Sequence, residues 1–351
     1  MKSDFSRWAV AAPKDTSGIG REARDVRAVL GVGHQFVCQS MNFVTEPAAG
    51  PREISLPADL TQDELRQRLT AIPGLQGILF FERTEWHPEL VPTCRALGLK
   101  TVGVVHWEWF NPANPQWKLC DLLVAPCAFA ERILRPLGFP TVVLPWPLDL
   151  TALPPRQIRG PARRFVHNAG FVDLQDRKGT ADTMVAFARA DLPVETSLLV
   201  RLQKSAIELP PGNARTEIRT GTVPTSAGLY AEGEVIVQPS KMEGVGFQVL
   251  EAVASGLPVL TLNHAPMNEW VQRPEMLVRP RWFKRRAFPT AWIPHAFLRL
   301  PDRRDLARKM EWCATHDLSE VSAQNRWWAE KTFAPDRVRA VWSEAISRIL
   351  P

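Results

Sequence analysis

Glu243 and Glu251 stand with seven residues between them in PSKMEGVGFQVLEAVASGLPVL (Pro239–Leu260), the first in a glycine-bearing loop and the second in an apolar run of helical pattern. Their separation and context do not require a shared proton, so they do not read as an acid/base pair. Glu243 at a loop mouth can accept hydrogen bonds from ligand hydroxyls, while Glu251 reaches a different part of the same ligand. The paired hydroxyls of a ribose or a hexose suit such acceptors. Gly244, Val245 and Gly246 let a ligand approach the backbone. A helix from about Phe247 turns its unpaired N–H groups and positive dipole end toward that mouth. The alternative is a strand–loop–helix unit with one solvated glutamate and one in the first helical turn.

Three further places carry residue types that could do chemistry. Ser17-Gly18-Ile19-Gly20 precedes a helix expected from Arg21 and offers either a phosphate-approach loop or a plain tight turn. Asp176-Arg177-Lys178-Gly179 puts cations at a helix start, against the helix dipole, which is easier to explain if an anion binds there. His106 closes the apolar run TVGVV, a position that is either structural or at the mouth of a site.

These loops need a scaffold. A chain of 351 residues exceeds one ordinary core, so two domains are expected. Short apolar runs alternate with amphipathic stretches, the pattern of parallel sheets with crossover helices. In the first half the strands are placed at Trp8–Ala11, His34–Cys38, Gln76–Phe81, Thr101–Val105, Asp121–Ala125 and Thr141–Leu144. A stretch rich in Pro and Arg, PWPLDLTALPPRQIRGPARR, lacks periodicity and reads as a linker. The alternation then restarts with RFVHNAG, SLLVRL, TEIRTG and EVIVQPS, and helical segments follow Asp305. The expected organisation is an N-terminal Rossmann-like domain over 1–148, a linker over 149–163 and a second such domain over 164–330. A final helix over 331–351 is expected to pack back on the first domain.

Composition bounds the rest. With 45% apolar and 23% charged residues, no apolar run of membrane-spanning length and no convincing signal peptide, the chain reads as cytoplasmic. Its five cysteines lack zinc spacing and read as reduced, mostly buried thiols. A net charge of +6 is compatible with anionic ligands, nucleic acid or anionic membrane surfaces. Thirteen Trp against one Tyr leaves core, interface and stacking surface all open.

The Pro239–Leu260 stretch resembles the E-x7-E signature of retaining GT-B glycosyltransferases, especially family 4. Supporting matches are GIGR, VVHWEW, RKG before a helix, LYAEGEVIVQPS and HAPMNEWV. The resemblance implies an α/β fold of the GT-B type, with two Rossmann-like domains facing a central cleft and C-terminal helices. It implies hexosyl transfer from a nucleotide-diphosphate sugar, UDP- or GDP-linked, with no cofactor and no metal. By position, Glu251 would bind the ribose hydroxyls. Glu243, with the backbone of Gly244, Val245, Gly246 and Phe247, would hold the donor sugar, and Lys178 would meet the diphosphate and stabilise the leaving group. Gly18 and Gly20 would let the N-terminal loop approach donor phosphate or acceptor, and His106 would lie near the reacting sugar. One departure stands out: Phe171 follows Gly170 where such enzymes commonly carry Arg, so Arg177 is expected to supply the charge.

The segment RPRWFKRRAFPTAWIPHAFLRL (Arg279–Leu300) reads as a basic aromatic insert without a single acid. Arg281, Trp282, Lys284, Arg285 and Arg286 could contact an acceptor or nucleic acid, with cations on phosphates and aromatics on bases. A basic loop packed on the body, or a peripheral contact with anionic lipid, are the alternatives. The acceptor is expected to be a saccharide or small molecule. Hydroxymethylated DNA bases are the second choice, and a non-catalytic nucleic-acid-binding GT-B protein is the reading from another class.

Overall fold

The computed structural model describes residues 4–15, 17–39, 44–82, 86–288, 293 and 296–350, apart from the side chains of residues 283 and 284. The chain divides into two compact units. One comprises Met1–Asp149, Ala291–Pro294 and Thr332–Pro351, the other Leu150–Thr290 and His295–Lys331.

The first unit runs β1 (Trp8–Ala12), α1 (Gly18–Leu30), β2 (His34–Cys38), β3 (Glu53–Leu56), α2 (Gln62–Thr70), β4 (Gly77–Phe81), α3 (Leu90–Ala96), β5 (Lys100–Val104), α4 (Gln116–Leu119), β6 (Leu122–Ala125), α5 (Ala128–Leu134) and β7 (Val142–Val143). Its sheet is ordered β3-β2-β1-β4-β5-β6-β7, and every pairing is parallel. Strands β1 (WAVAA) and β4 (GILFF) are buried throughout, as strands covered by helices on both faces must be. The four-residue edge strand β3 (EISL) lies outside the sequence expectation because only its last residue is buried and it shows no alternation. Helix α1 begins at Gly18, not at Arg21: the Ser17 side chain accepts from the Gly20 N–H and caps the helix three residues earlier.

The second unit runs β8 (Arg164–Val172), α6 (Thr180–Arg189), β9 (Ser197–Ser205), β10 (Thr216–Thr220), α7 (Ser226–Tyr230), β11 (Val235–Gln238), α8 (Phe247–Ala254), β12 (Val259–Leu262), β13 (Leu277–Val278), the strands β14 (Pro280–Ala287) and β15 (Phe297–Pro301), then α9 (Arg303–Thr315) and α10 (Ser319–Thr332). Its main sheet is ordered β10-β9-β8-β11-β12-β13, again all parallel. Both sheets therefore repeat the Rossmann order, outward from a first strand and then outward on its other side. The last helix, α11 (Pro335–Ser347), belongs to the first unit: Trp342 Nε1 donates to the Pro145 carbonyl at 2.8 Å, and Arg339 donates to the Val29 carbonyl.

The basic insert forms an antiparallel ribbon, β14 with β15, with Arg285 opposite Arg299, Arg286 opposite Leu298 and Ala287 opposite Phe297. Its apolar members anchor it, Leu298 being fully buried and Phe288 8% exposed. The Trp surplus is largely core: Trp8, Trp117, Trp146 and Trp342 are fully buried. All five cysteines are unbridged.

Candidate functional site

In a doubly wound sheet the loops after the two central strands diverge, one chain going each way, and leave a crevice at the carboxyl ends. In the second unit those strands are β8 and β11, and the loops that follow them are Asp173–Gly179 and Pro239–Gly246. The two loops press together. A Cβ at Gly179 would stand 2.8 Å from the Pro239 carbonyl oxygen, so only glycine fits, and its φ of +75° also suits glycine. The Lys241 N–H donates to the Arg177 carbonyl at 2.8 Å, tying one loop to the other.

The charged residues converge across that seam. Lys178 Nζ lies 2.6 Å from Glu243 Oε1, and Arg177 Nη1 lies 2.8 Å from Glu243 Oε2. Arg177 Nη1 also donates to the Met242 carbonyl at 2.9 Å. Glu243 is 6% exposed. Burial by itself would push its carboxyl up, but Lys178 and Arg177 prevail and hold it down at about 2. The anion that two cations at a helix start called for is thus supplied by the protein itself. Arg177 sits beside Lys178, while Phe171 is 52% exposed and makes no part of the cluster.

Two buried groups of polar side chains support this cluster, and of their members the sequence reading singled out only Asp176. Lys241 Nζ lies 3.1 Å from Asp176 and from Asp182, whose other oxygen takes Arg303 Nε at 2.5 Å. Asp176 also accepts from the N–H groups of Thr180 and Ala181, so it caps α6 although it lies four residues before the helix. Burial raises its pKa, against the pull of Lys241. On β8, the His167 ring contacts the Val237 carbonyl at 2.7 Å and Thr180 Oγ1 at 2.9 Å. Burial lowers its pKa to about 4, so the ring is neutral.

Glu251, on α8, is fully buried, and the Tyr230 hydroxyl donates to its Oε2 at 2.5 Å. Tyr230 is the chain's only tyrosine, which was the one available signal, but no spacing links it to Glu251. Gly246 caps α8 with φ +81°, and the Val245 carbonyl accepts from Trp270 Nε1 at 2.6 Å. Glycine at that cap leaves Gly244, Val245 and Phe247 as a turn whose backbone leads into the N-terminus of α8.

Gly18, Gly20 and His106 lie in the first unit. A Cβ at Gly20 would stand 2.5 Å from Asp15 Oδ1 and 2.6 Å from the Asp15 carbonyl oxygen, so this glycine is required by its own chain. Gly18 has open space around it. His106 follows β5 and its Nε2 stands 3.4 Å from Glu22 Oε1 on α1, both side chains being buried. Burial first, then the charges of Glu82, Glu108 and Asp25, push the Glu22 carboxyl well up. Burial lowers His106 to about 4. Both members of this contact are driven toward their neutral forms, and Glu82 after β4 holds a φ of +63°. Such a pair offers hydrogen bonds, not charge.

On the ribbon, Arg281, Trp282, Arg285 and Arg286 are exposed, Trp282 by 78%; the Lys284 side chain lies outside the described residues. Among the described residues there is no group of His, Cys, Asp or Glu that could hold a metal ion, and no helix long and apolar enough to cross a membrane.

Residues 200–288 match the family model described as glycosyl transferases group 1. No curated protein matches the chain. Among solved structures, sucrose-phosphate synthase from Thermosynechococcus elongatus is similar at 15% identity with a TM-score of 0.64, over 97% of this chain and 98% of that one. An α,α-trehalose-phosphate synthase (UDP-forming) from Burkholderia xenovorans, in complex with glucose-6-phosphate, is similar at 11% identity and TM-score 0.60, over 97% and 99%. A trehalose-6-phosphate protein from E. coli bound with UDP-2-fluoro glucose gives 11% identity and TM-score 0.60, over 97% and 98%. At these identities the likeness to solved structures is one of fold, the GT-B fold. With the family match over β9 to β14, the comparisons support a glycosyltransferase.

Proposed function

We propose that the chain is a retaining glycosyltransferase of family 4, moving a hexosyl group from a nucleotide-diphosphate sugar to a hydroxyl acceptor. The observation that carries this reading is the Arg177–Lys178–Glu243 cluster at the point where β8 and β11 diverge, with Glu251 buried on the helix that follows. Lys178 and Arg177 meet the donor diphosphate there and exchange part of their hold on Glu243 for phosphate oxygens. As the glycosidic bond breaks, charge grows on that diphosphate, and cations already fixed in place stabilise it without reorganisation. Glu243, released in part, accepts from the sugar hydroxyls. Glu251, oriented by Tyr230, takes the ribose hydroxyls. The N–H groups of Gly244, Val245 and Phe247 at the start of α8 face the donor.

Retention needs no enzymic nucleophile in this scheme: the donor phosphate assists removal of the acceptor proton on the face the leaving group vacates. Neutral His106, paired with Glu22 in the first unit, then serves as a hydrogen-bonding group toward sugar hydroxyls. Uridine is favoured over guanosine as the base because the E. coli relative is described with UDP-2-fluoro glucose. The acceptor is a saccharide or small molecule.

Donor hydrolysis with a panel of UDP- and GDP-hexoses tests this. Turnover should fall in Lys178→Ala and in Glu251→Ala, with Lys178→Ala acting mainly on kcat and Glu251→Ala mainly on KM. Turnover equal to the parent protein in both variants would remove the site assignment.

A further inference from the structure

Residues 276–301 hold six of the chain's 43 Lys and Arg and none of its acids. The 37 cations elsewhere equal the 37 acidic residues, so the whole formal charge of +6 resides in this one segment. One of the six, Arg279, is satisfied by Asp305 at 3.1 Å. Arg285 and Arg299 are not paired in this way. They stand directly opposite each other across β14 and β15, hence on the same face of the ribbon. Among the described residues no carboxylate pairs with either side chain. Like charges in directly opposed positions repel at a Cβ separation of about 5 Å. The Arg285 guanidinium is held 4.1 Å over the Phe297 ring, which fixes its plane, and Phe297 is on the same face.

Two guanidinium groups on one face of the ribbon, the Arg285 group held over Phe297 and neither paired with a carboxylate among the described residues, suit tetrahedral oxyanions, since each can bond two oxygens at once. The pair is anchored beside the donor loop: the Arg299 N–H donates to the carbonyl of Lys241, two residues from Glu243, at 2.9 Å. The Arg299 charge is also felt by His264, whose pKa burial and Arg299 together lower to about 4, so the imidazole brings no second positive charge.

We propose that Arg285 and Arg299 form a phosphate clamp that holds a phosphoryl group of the acceptor next to the donor loop. The clamp rests on the ribbon geometry alone; its assignment to the acceptor rests on the donor reading given above. Sugar phosphomonoesters and phosphodiester chains both carry the group, and on a chain the exposed Arg281 and Arg286 would add contacts.

Calorimetric titration at low salt with inorganic phosphate, with a hexose phosphomonoester and with oligothymidylate tests the clamp. Arg285→Gln and Arg299→Gln should each weaken binding about tenfold or more, and Arg159→Gln, an exposed arginine elsewhere, should not. Lys178→Ala, titrated in parallel, reports the donor site. Loss confined to the arginine variants establishes the clamp even where donor binding fails. Parental binding in both arginine variants, with loss only in Lys178→Ala, overturns it and leaves the donor reading standing. If Arg299→Gln lowers the melting temperature, Arg285→Lys decides: it keeps the charge but loses the fork, so it should still bind more weakly. Binding by the monoester as tight as by the oligonucleotide marks a small phosphorylated acceptor, while much tighter oligonucleotide binding marks a polymer.

Discussion

Each unit buries a glutamate beside the point where its two central strands diverge, one after the first strand and one after the strand next to it, and the two have opposite characters. Glu22 stands on the helix after β1, beside the β1/β4 divergence, at 3% exposure; Glu243 stands in the loop after β11, beside the β8/β11 divergence, at 6%. Around Glu22 are Glu82, Glu108 and Asp25, and its carboxyl is driven well up. Around Glu243 are Lys178 and Arg177, and its carboxyl is held at about 2. Desolvation is the largest influence on both. The scaffold sets burial, and the neighbouring charges set the sign of the result. The surroundings of Glu22 therefore favour a neutral carboxyl, and those of Glu243 hold a charged one between two cations.

Perturbations of either side bear on this contrast. The largest effect is expected from Lys178→Ala, which removes a fixed cation from the developing charge: donor turnover should drop about 100-fold to 1,000-fold in kcat. A drop below tenfold would mean that Arg177 alone suffices. Glu243→Gln comes next. It removes the carboxylate between Arg177 and Lys178 and should cost about 3 kcal/mol in denaturant unfolding, recovered in part by added diphosphate. Tyr230→Phe leaves the Glu251 carboxylate without this donor and should cost about 1–3 kcal/mol.

Acid should affect the two sites differently. Glu243 has a depressed folded-state pKa, so its stabilisation is full above 4.5 and is lost as pH falls from there toward about 2. His106 and His167, at about 4 in the fold against 6.5 ordinarily, bind fewer protons than in the unfolded chain, so stability already declines as pH falls from 6.5 toward 4. Glu22 runs the other way: its raised pKa means stability declines as pH rises above 4.5. Unfolding midpoints across pH 3–8 should show Glu243→Gln flattening the acid limb. The smallest effect is expected from Glu22→Gln, which mimics the protonated carboxyl: under about 1 kcal/mol at neutral pH, with the decline above pH 4.5 reduced. A loss as large as that of Glu243→Gln would show that Glu22 works as an anion.

Most of the scaffold could be read in the sequence because a fully buried parallel strand leaves an uninterrupted apolar run, as in GILFF or TVGVV, and the helices between them carry period and caps. The Lys178–Glu243 meeting was legible only in halves: each loop advertised a charge, and nothing local says that residues 65 apart share one seam. The ribbon was not legible as strands. Its face carries Arg285 and Arg299 where an ordinary strand shows an apolar residue, so the period-2 signal is written in charge. Edge strand β3 failed for a related reason, having too little buried surface to mark a face. Gly20 carries a demand that the sequence did not show. In the first turn of α1, a side chain at this position would collide with Asp15, whatever else the loop approaches.

A single tyrosine amid thirteen tryptophans also has a spectroscopic consequence. Because that tyrosine is Tyr230, biosynthetic incorporation of fluorotyrosine would install one fluorine nucleus in the whole chain, on the ring whose hydroxyl holds Glu251. On the proposed donor reading its one resonance would report nucleotide occupancy beside Glu251, free of overlap and without a substituted residue, so nucleotides could be ranked by affinity before any acceptor is identified.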